Sequence, residues 1–133
     1  MTAPSEDVKP EKQRANYLPA SSLFGLHQAC EQIMRSYDSL GVYLVGSAIK
    51  RKDYRDVDVR CMLFDEEFER EFPKNKDGER PRFMLVCLAI SAWLKQVTGL
   101  PIDFQFQKQT LANERHKGER HGLGYYRWDG DAT

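Results

Sequence analysis

Several things are missing from this chain of 133 residues, and each absence removes a class of function. There is no run of about 18 apolar residues, so no membrane-spanning helix is expected. The opening MTAPSEDVKPEK has none of the apolar stretch of a signal peptide. Neither sign of charge dominates, because 20 Lys and Arg face 20 Asp and Glu. A protein held to nucleic acid by bulk positive charge is therefore excluded, although a local basic patch is not. Cysteine is scarce: Cys30, Cys61 and Cys87 are odd in number, far apart and set in apolar patterns. No CxxC and no Cys/His pairing announces zinc or a redox couple. Buried, reduced thiols in a cytoplasmic protein are the expectation. Internal repeats and low-complexity blocks are absent too.

What remains fits one domain. Aromatic residues, at 11%, argue against disorder over most of the length. Residues 1 to about 16 are polar, carry Pro4 and Pro10 and show no periodicity, so a flexible arm is expected there and a single domain over 17–133. Leu23, Leu26, Cys30, Ile33, Met34 and Tyr37 recur at helical spacing, which predicts an amphipathic helix. Ser21 or Ser22 would cap it, and Gly41 would stop it. Val42-Tyr43-Leu44-Val45 reads as a buried strand ending at Gly46-Ser47. After Lys50-Arg51-Lys52 and Arg55, the segment Asp56 to Phe64 alternates: Val57, Val59, Cys61 and Leu63 on one face, Asp56, Asp58 and Arg60 on the other. The acidic run 65–71 predicts a solvated face, and 83–97 a largely buried helix stopped by Gly99. Ile102, Phe104 and Phe106 alternate with Asp103, Gln105 and Gln107, a third strand; a short helix near Thr110–Arg115 follows.

Three acids stand out by position. Asp56 and Asp58, two apart on a strand, would leave the same face with Cα atoms about 7 Å apart. Asp103 lies on the polar face of another strand. If those strands are neighbours, three carboxylates converge and repel, and a divalent cation relieves the repulsion. Oxygen-only ligation suits Mg²⁺ or Mn²⁺ rather than zinc, and paired ions of this kind serve in-line displacement at phosphorus. Gly46 and Ser47, at the end of a strand, offer backbone N–H groups and a hydroxyl to a phosphate. Lys50, Arg51 and Arg55 could neutralise more of its charge. Each piece has a plain alternative: Gly-Ser is a common turn, and Arg60 could simply pair with Asp58.

Taken together, Val45-Gly46-Ser47 followed by Asp56-Val57-Asp58-Val59, with Ile102-Asp103-Phe104 later, resembles the polymerase-β-like nucleotidyltransferase superfamily in its minimal members. The resemblance covers roughly residues 21–107. It implies an α/β (α+β) fold, a small mixed β-sheet flanked by helices. It further implies that Asp56 and Asp58 bind two Mg²⁺ (or Mn²⁺) ions, that Asp103 binds one, and that Gly46 and Ser47 contact the triphosphate. The implied reaction moves a nucleoside monophosphate from an NTP donor to an acceptor hydroxyl or phosphate. The acceptor class stays open among RNA, a DNA end, a small molecule and a protein. Base selectivity would then come from the C-terminal tail, a partner copy in a homodimer or the substrate itself. Eight residues separate Ser47 from Asp56, fewer than is usual in the family, so the connecting helix must be short. The rival expectation is a non-catalytic nucleotide-binding or antitoxin-like partner protein that keeps the fold. In the tail, Arg115, His116, Arg120, His121, Tyr125, Tyr126 and Trp128 could touch a nucleic acid or simply pack.

Overall fold

The computed structural model describes residues 16–115 and 118–124. Helix α1, Ala20–Ser36, turns Leu26, Ala29, Cys30 and Ile33 inward as its periodicity requires. It starts at Ala20 behind Pro19, with no side-chain cap. Ser22 instead donates its hydroxyl to the Thr98 carbonyl at 3.1 Å, tying α1 to a second helix 76 positions away. Gly41 does not stop α1. It sits inside strand β1, Ser39–Val45, at an irregularity in the pairing with the next strand. A short helix α2, Ser47–Lys50, leads to strand β2, Val57–Leu63.

Strand β2 and the later strand β3, Ile102–Lys108, run parallel, so the chain must cross over between them. Helix α3, Asp65–Glu71, and helix α4, Phe83–Thr98, make that crossover. Gly99, at φ 73°, closes α4 by donating its N–H to the Lys95 carbonyl. Helix α5, Gln109–Arg115, and strand β4, His121–Leu123, follow. The fold is mixed α+β: one four-stranded sheet in the order β3-β2-β1-β4, with β1 antiparallel to both β2 and β4.

The alternation in β2 and β3 decides which sheet face is core. Val57, Val59, Cys61 and Leu63 join Ile102, Phe104 and Phe106 beneath α1 and α4. Phe106 meets Phe72, Phe104 and Tyr37 with ring centroids 4.7–5.4 Å apart. All three cysteines are buried and unpaired, and burial pushes the Cys61 thiol up to about 12. Strand β3 is an edge, and α4 covers part of it: Ser91 accepts the Phe104 N–H at 2.9 Å and donates to the Phe104 carbonyl at 3.3 Å.

Two expectations need correction. The acidic run is not only a solvated face: Glu66, Glu69 and Arg70 are exposed, yet its acids also clamp neighbouring elements. Glu67 is buried and accepts the Asp38 N–H, and it pairs with Arg70. Glu69 holds both Arg80, at 3.0 Å, and Lys108, at 2.5 Å. Asp65 bonds to Thr110. Helix α4 is not largely buried either, because only one side of it meets the sheet and α1. Of the expected N-terminal arm, residues 1–15 lie outside the described residues. Asn16 accepts the Leu18 N–H, and Tyr17 donates to the Ala48 carbonyl beside α2. Among the described residues no helix is long and apolar enough to cross a membrane.

Candidate active site

The site begins where β1 ends. Gly46 has φ 82° and ψ −156°, a conformation that side chains with a Cβ rarely adopt. A Cβ there would lie 2.5 Å from Asp58 Oδ2. The glycine thus lets the turn close onto a carboxylate of the next strand, and the register agrees, since Val45 pairs with Asp58. Ser47 opens α2, which lasts one turn. Ile49 donates to the Gly46 carbonyl and Arg51 to the Ser47 carbonyl. Ala48 and Ile49 are buried and anchor that turn in the core. Its brevity agrees with the short Ser47–Asp56 spacing.

Strand pairing brings two of the three acids together. Asp58 on β2 is the direct register partner of Asp103 on β3. Asp56 is displaced from the strand position its alternation suggested, because β2 begins at Val57 and Asp56 stands exposed one residue ahead of it. It nevertheless shares a cleft of about 420 Å³ with Ser47, Arg51, Asp53, Tyr54, Arg55 and Asp58. Asp103 does not line that cleft. The basic candidates divide: Arg55 borders the acid cleft, Lys50 borders an adjoining hollow of about 330 Å³ with Gly46, Ser47, Gly118 and Glu119, and Arg51 lines both. Arg51 is engaged by Asp53 through two hydrogen bonds of 3.1 and 3.2 Å, which hold the Asp53 carboxyl below its usual range.

Arg60 is the residue whose importance the sequence understated. Its Nη2 lies 3.5 Å from Asp103 Oδ2 and 3.9 Å from Asp58 Oδ1. Its Nη1 donates to the Asp103 carbonyl at 2.7 Å and the Val59 carbonyl at 3.0 Å. Its Nε is buried without a hydrogen-bond partner. Alternation put Arg60 on the Asp58 face; only the parallel register with β3 brings Asp103 within its reach. The guanidinium thus supplies, between two adjacent carboxylates, the positive charge their repulsion demands.

The donor set fits a hard divalent cation in kind, being carboxylate oxygen throughout. Gly46 fits as well, since its missing Cβ is the space that Asp58 Oδ2 borders. Among the described residues, no three His, Cys, Asp or Glu side chains are gathered into a metal cage. Asp56 opens into the cleft, while Asp103 is turned to Arg60.

The described part of the tail packs against the sheet. Arg120 lies over the Tyr43 ring at 5.4 Å and reaches the Met62 sulfur. His121 meets Glu119, and Gly124 donates to His27 Nδ1. His116, Tyr125, Tyr126, Trp128 and the Arg115 side chain lie outside the described residues. No family model, no curated protein and no solved structure matches this chain.

Proposed function

We propose that this protein is a metal-dependent nucleotidyltransferase that moves a nucleoside monophosphate from an NTP to an acceptor hydroxyl or phosphate. One observation carries the proposal: a glycine-serine turn closes against Asp58, and Asp58 has Asp103 as its neighbour across a parallel ladder. A phosphate-docking turn and adjacent carboxylates on one sheet end are what phosphoryl chemistry needs, one to hold the donor and the other to manage charge. Asp56 and Asp58, which share the cleft, would hold Mg²⁺ or Mn²⁺, and Asp103 would join them only where the cation takes the place of Arg60 beside it; when bound, the ion neutralises triphosphate charge and acidifies the acceptor hydroxyl. Gly46 would admit the triphosphate to the backbone, and Ser47 would donate its hydroxyl to it. Arg55, at the cleft rim, and Lys50, in the adjoining hollow, would balance phosphate charge. Asp103 would accept the acceptor's proton as its oxygen attacks the α-phosphorus and pyrophosphate departs.

A second function is favoured by a specific observation. Arg60 already spans Asp58 and Asp103, and such internal neutralisation suits a protein that binds a nucleotide, or a toxin-like partner, without catalysis. One experiment separates the two. Labelled NTPs are incubated with the full chain and Mg²⁺ or Mn²⁺, pyrophosphate release and protein mass are followed, and melting is recorded alongside. Catalysis predicts transfer that Asp58→Asn reduces at least about 100-fold, a loss of roughly 2.7 kcal/mol of transition-state stabilisation. Melting that rises with nucleotide, without any transfer, selects the binding protein. Transfer undiminished in Asp58→Asn would sink the site assignment.

A further inference from the structure

The acid pair Asp58 and Asp103 already has a cation, and that cation belongs to the chain. Arg60 sets its Nη2 3.5 Å from Asp103 Oδ2 and 3.9 Å from Asp58 Oδ1. Its Nη1 is tied to the backbone as well, donating to the Asp103 carbonyl at 2.7 Å and the Val59 carbonyl at 3.0 Å. Only 11% of the side chain is exposed. Tyr43 on β1 and Gln105 on β3 are its register partners, so Arg60 stands in a row of the sheet with a strand on either side. Two backbone hydrogen bonds and two ion pairs hold the guanidinium there, and bonds from a charged donor are among the stronger ones.

Asp58 divides its two oxygens. Oδ1 faces Arg60, while Oδ2 faces the turn, 2.5 Å from where a Gly46 Cβ would stand. The cleft takes in Asp56 and Asp58 but neither Arg60 nor Asp103. A divalent ion on Asp56 and Asp58 can therefore use the Oδ2 side and leave Arg60 where it is. A second ion, on Asp103 Oδ2, meets a different situation. At a ligand distance of about 2.1 Å it would stand within about 6 Å of Nη2, and the two positive charges repel. The charges give the same count. Three carboxylates less one guanidinium leave two negative charges, which one divalent cation cancels. Arg51 and Asp53, also in the cleft, cancel each other.

We infer that this site takes one divalent cation, on Asp56 and Asp58, and that Arg60 is the built-in cation of the Asp58–Asp103 pair, in place of a second ion. The inference rests on the reading above that the acid cleft holds a metal. The test is Mn²⁺ binding to the full chain, counted by equilibrium dialysis and by electron paramagnetic resonance. The wild type should bind one Mn²⁺ per chain, with the spectrum of an isolated ion. Arg60→Met, which keeps the bulk and removes the charge, should bind two, close enough for their spectrum to show spin coupling. Asp56→Asn should weaken the wild-type ion at least about tenfold, or about 1.4 kcal/mol, and Asp103→Asn by less. Two ions in the wild type, or none, overturn the inference. So does a folded Arg60→Met that still binds one, or an Asp103→Asn that costs as much as Asp56→Asn. If Arg60→Met fails to fold, the two asparagine variants decide. Transfer from labelled NTP, followed in the same samples, keeps the two questions apart. One bound Mn²⁺ without transfer rejects catalysis and leaves this inference standing, whereas transfer with two bound ions does the reverse.

Discussion

Gly46 and Asp58 depend on one another at the scale of single residues. The turn's positive φ and the 2.5 Å approach of the carboxylate to the absent Cβ both exclude a side chain. Gly46→Ala should therefore destabilise the fold by about 1–3 kcal/mol and displace Asp58 together with the turn. Denaturant melts check the first effect. The loss of nucleotide-induced stabilisation beyond that expected from stability alone checks the second. This residue was legible in the sequence as part of a glycine-serine turn. Its reason was not, because the clash involves an atom 12 positions away that strand pairing delivers. The same holds for Arg60. Its face followed from alternation, but its place between Asp58 and Asp103 followed from the β2–β3 register, which no local pattern encodes.

Helix α3 shows at the scale of elements how charge can be read correctly in composition and wrongly in use. Asp65, Glu66 and Glu67 begin the helix, where its dipole favours negative charge. From there Glu69 reaches Arg80 in the loop before α4 and Lys108 at the end of β3. These partners, Arg80 first, bring its carboxyl down from 4.5 to about 2. A depressed folded-state value means the contribution is present above the ordinary glutamate value and is lost as pH falls through about 2. Melting temperature as a function of pH should thus separate wild type from Glu69→Gln. The wild type's advantage should be constant above pH about 4.5 and vanish toward pH about 2. A difference between the two proteins that does not change with pH would assign Glu69 no such role. Helix α4 makes the converse point. Its apolar composition predicted burial, whereas one helix side suffices to meet the sheet, and the rest faces outward.

One core joins every element but α5 at the scale of the whole molecule. Phe106 touches aromatic residues from the end of α1, the end of α3 and its own strand. Phe106→Ala should cost about 3–5 kcal/mol and lower the whole unfolding transition as one step, monitored by far-UV and near-UV circular dichroism together. Two separated transitions would show that the helices and sheet do not share this core. Sequence by itself determined the local patterns: one amphipathic helix, one buried apolar strand and two alternating ones, the Gly46-Ser47 break, and the sheet face on which Asp58, Arg60 and Asp103 project. Those follow from local geometry, 3.6 residues per turn and two per pleat, which a chain carries wherever it folds. Tertiary structure alone decided the parallel pairing that seats Asp58 beside Asp103, the guanidinium that reaches both, and the displacement of Asp56 to the cleft mouth. It also decided which side of α4 stays bare. These depend on register and on which surfaces meet, and both are set by the joint burial of residues far apart in the chain.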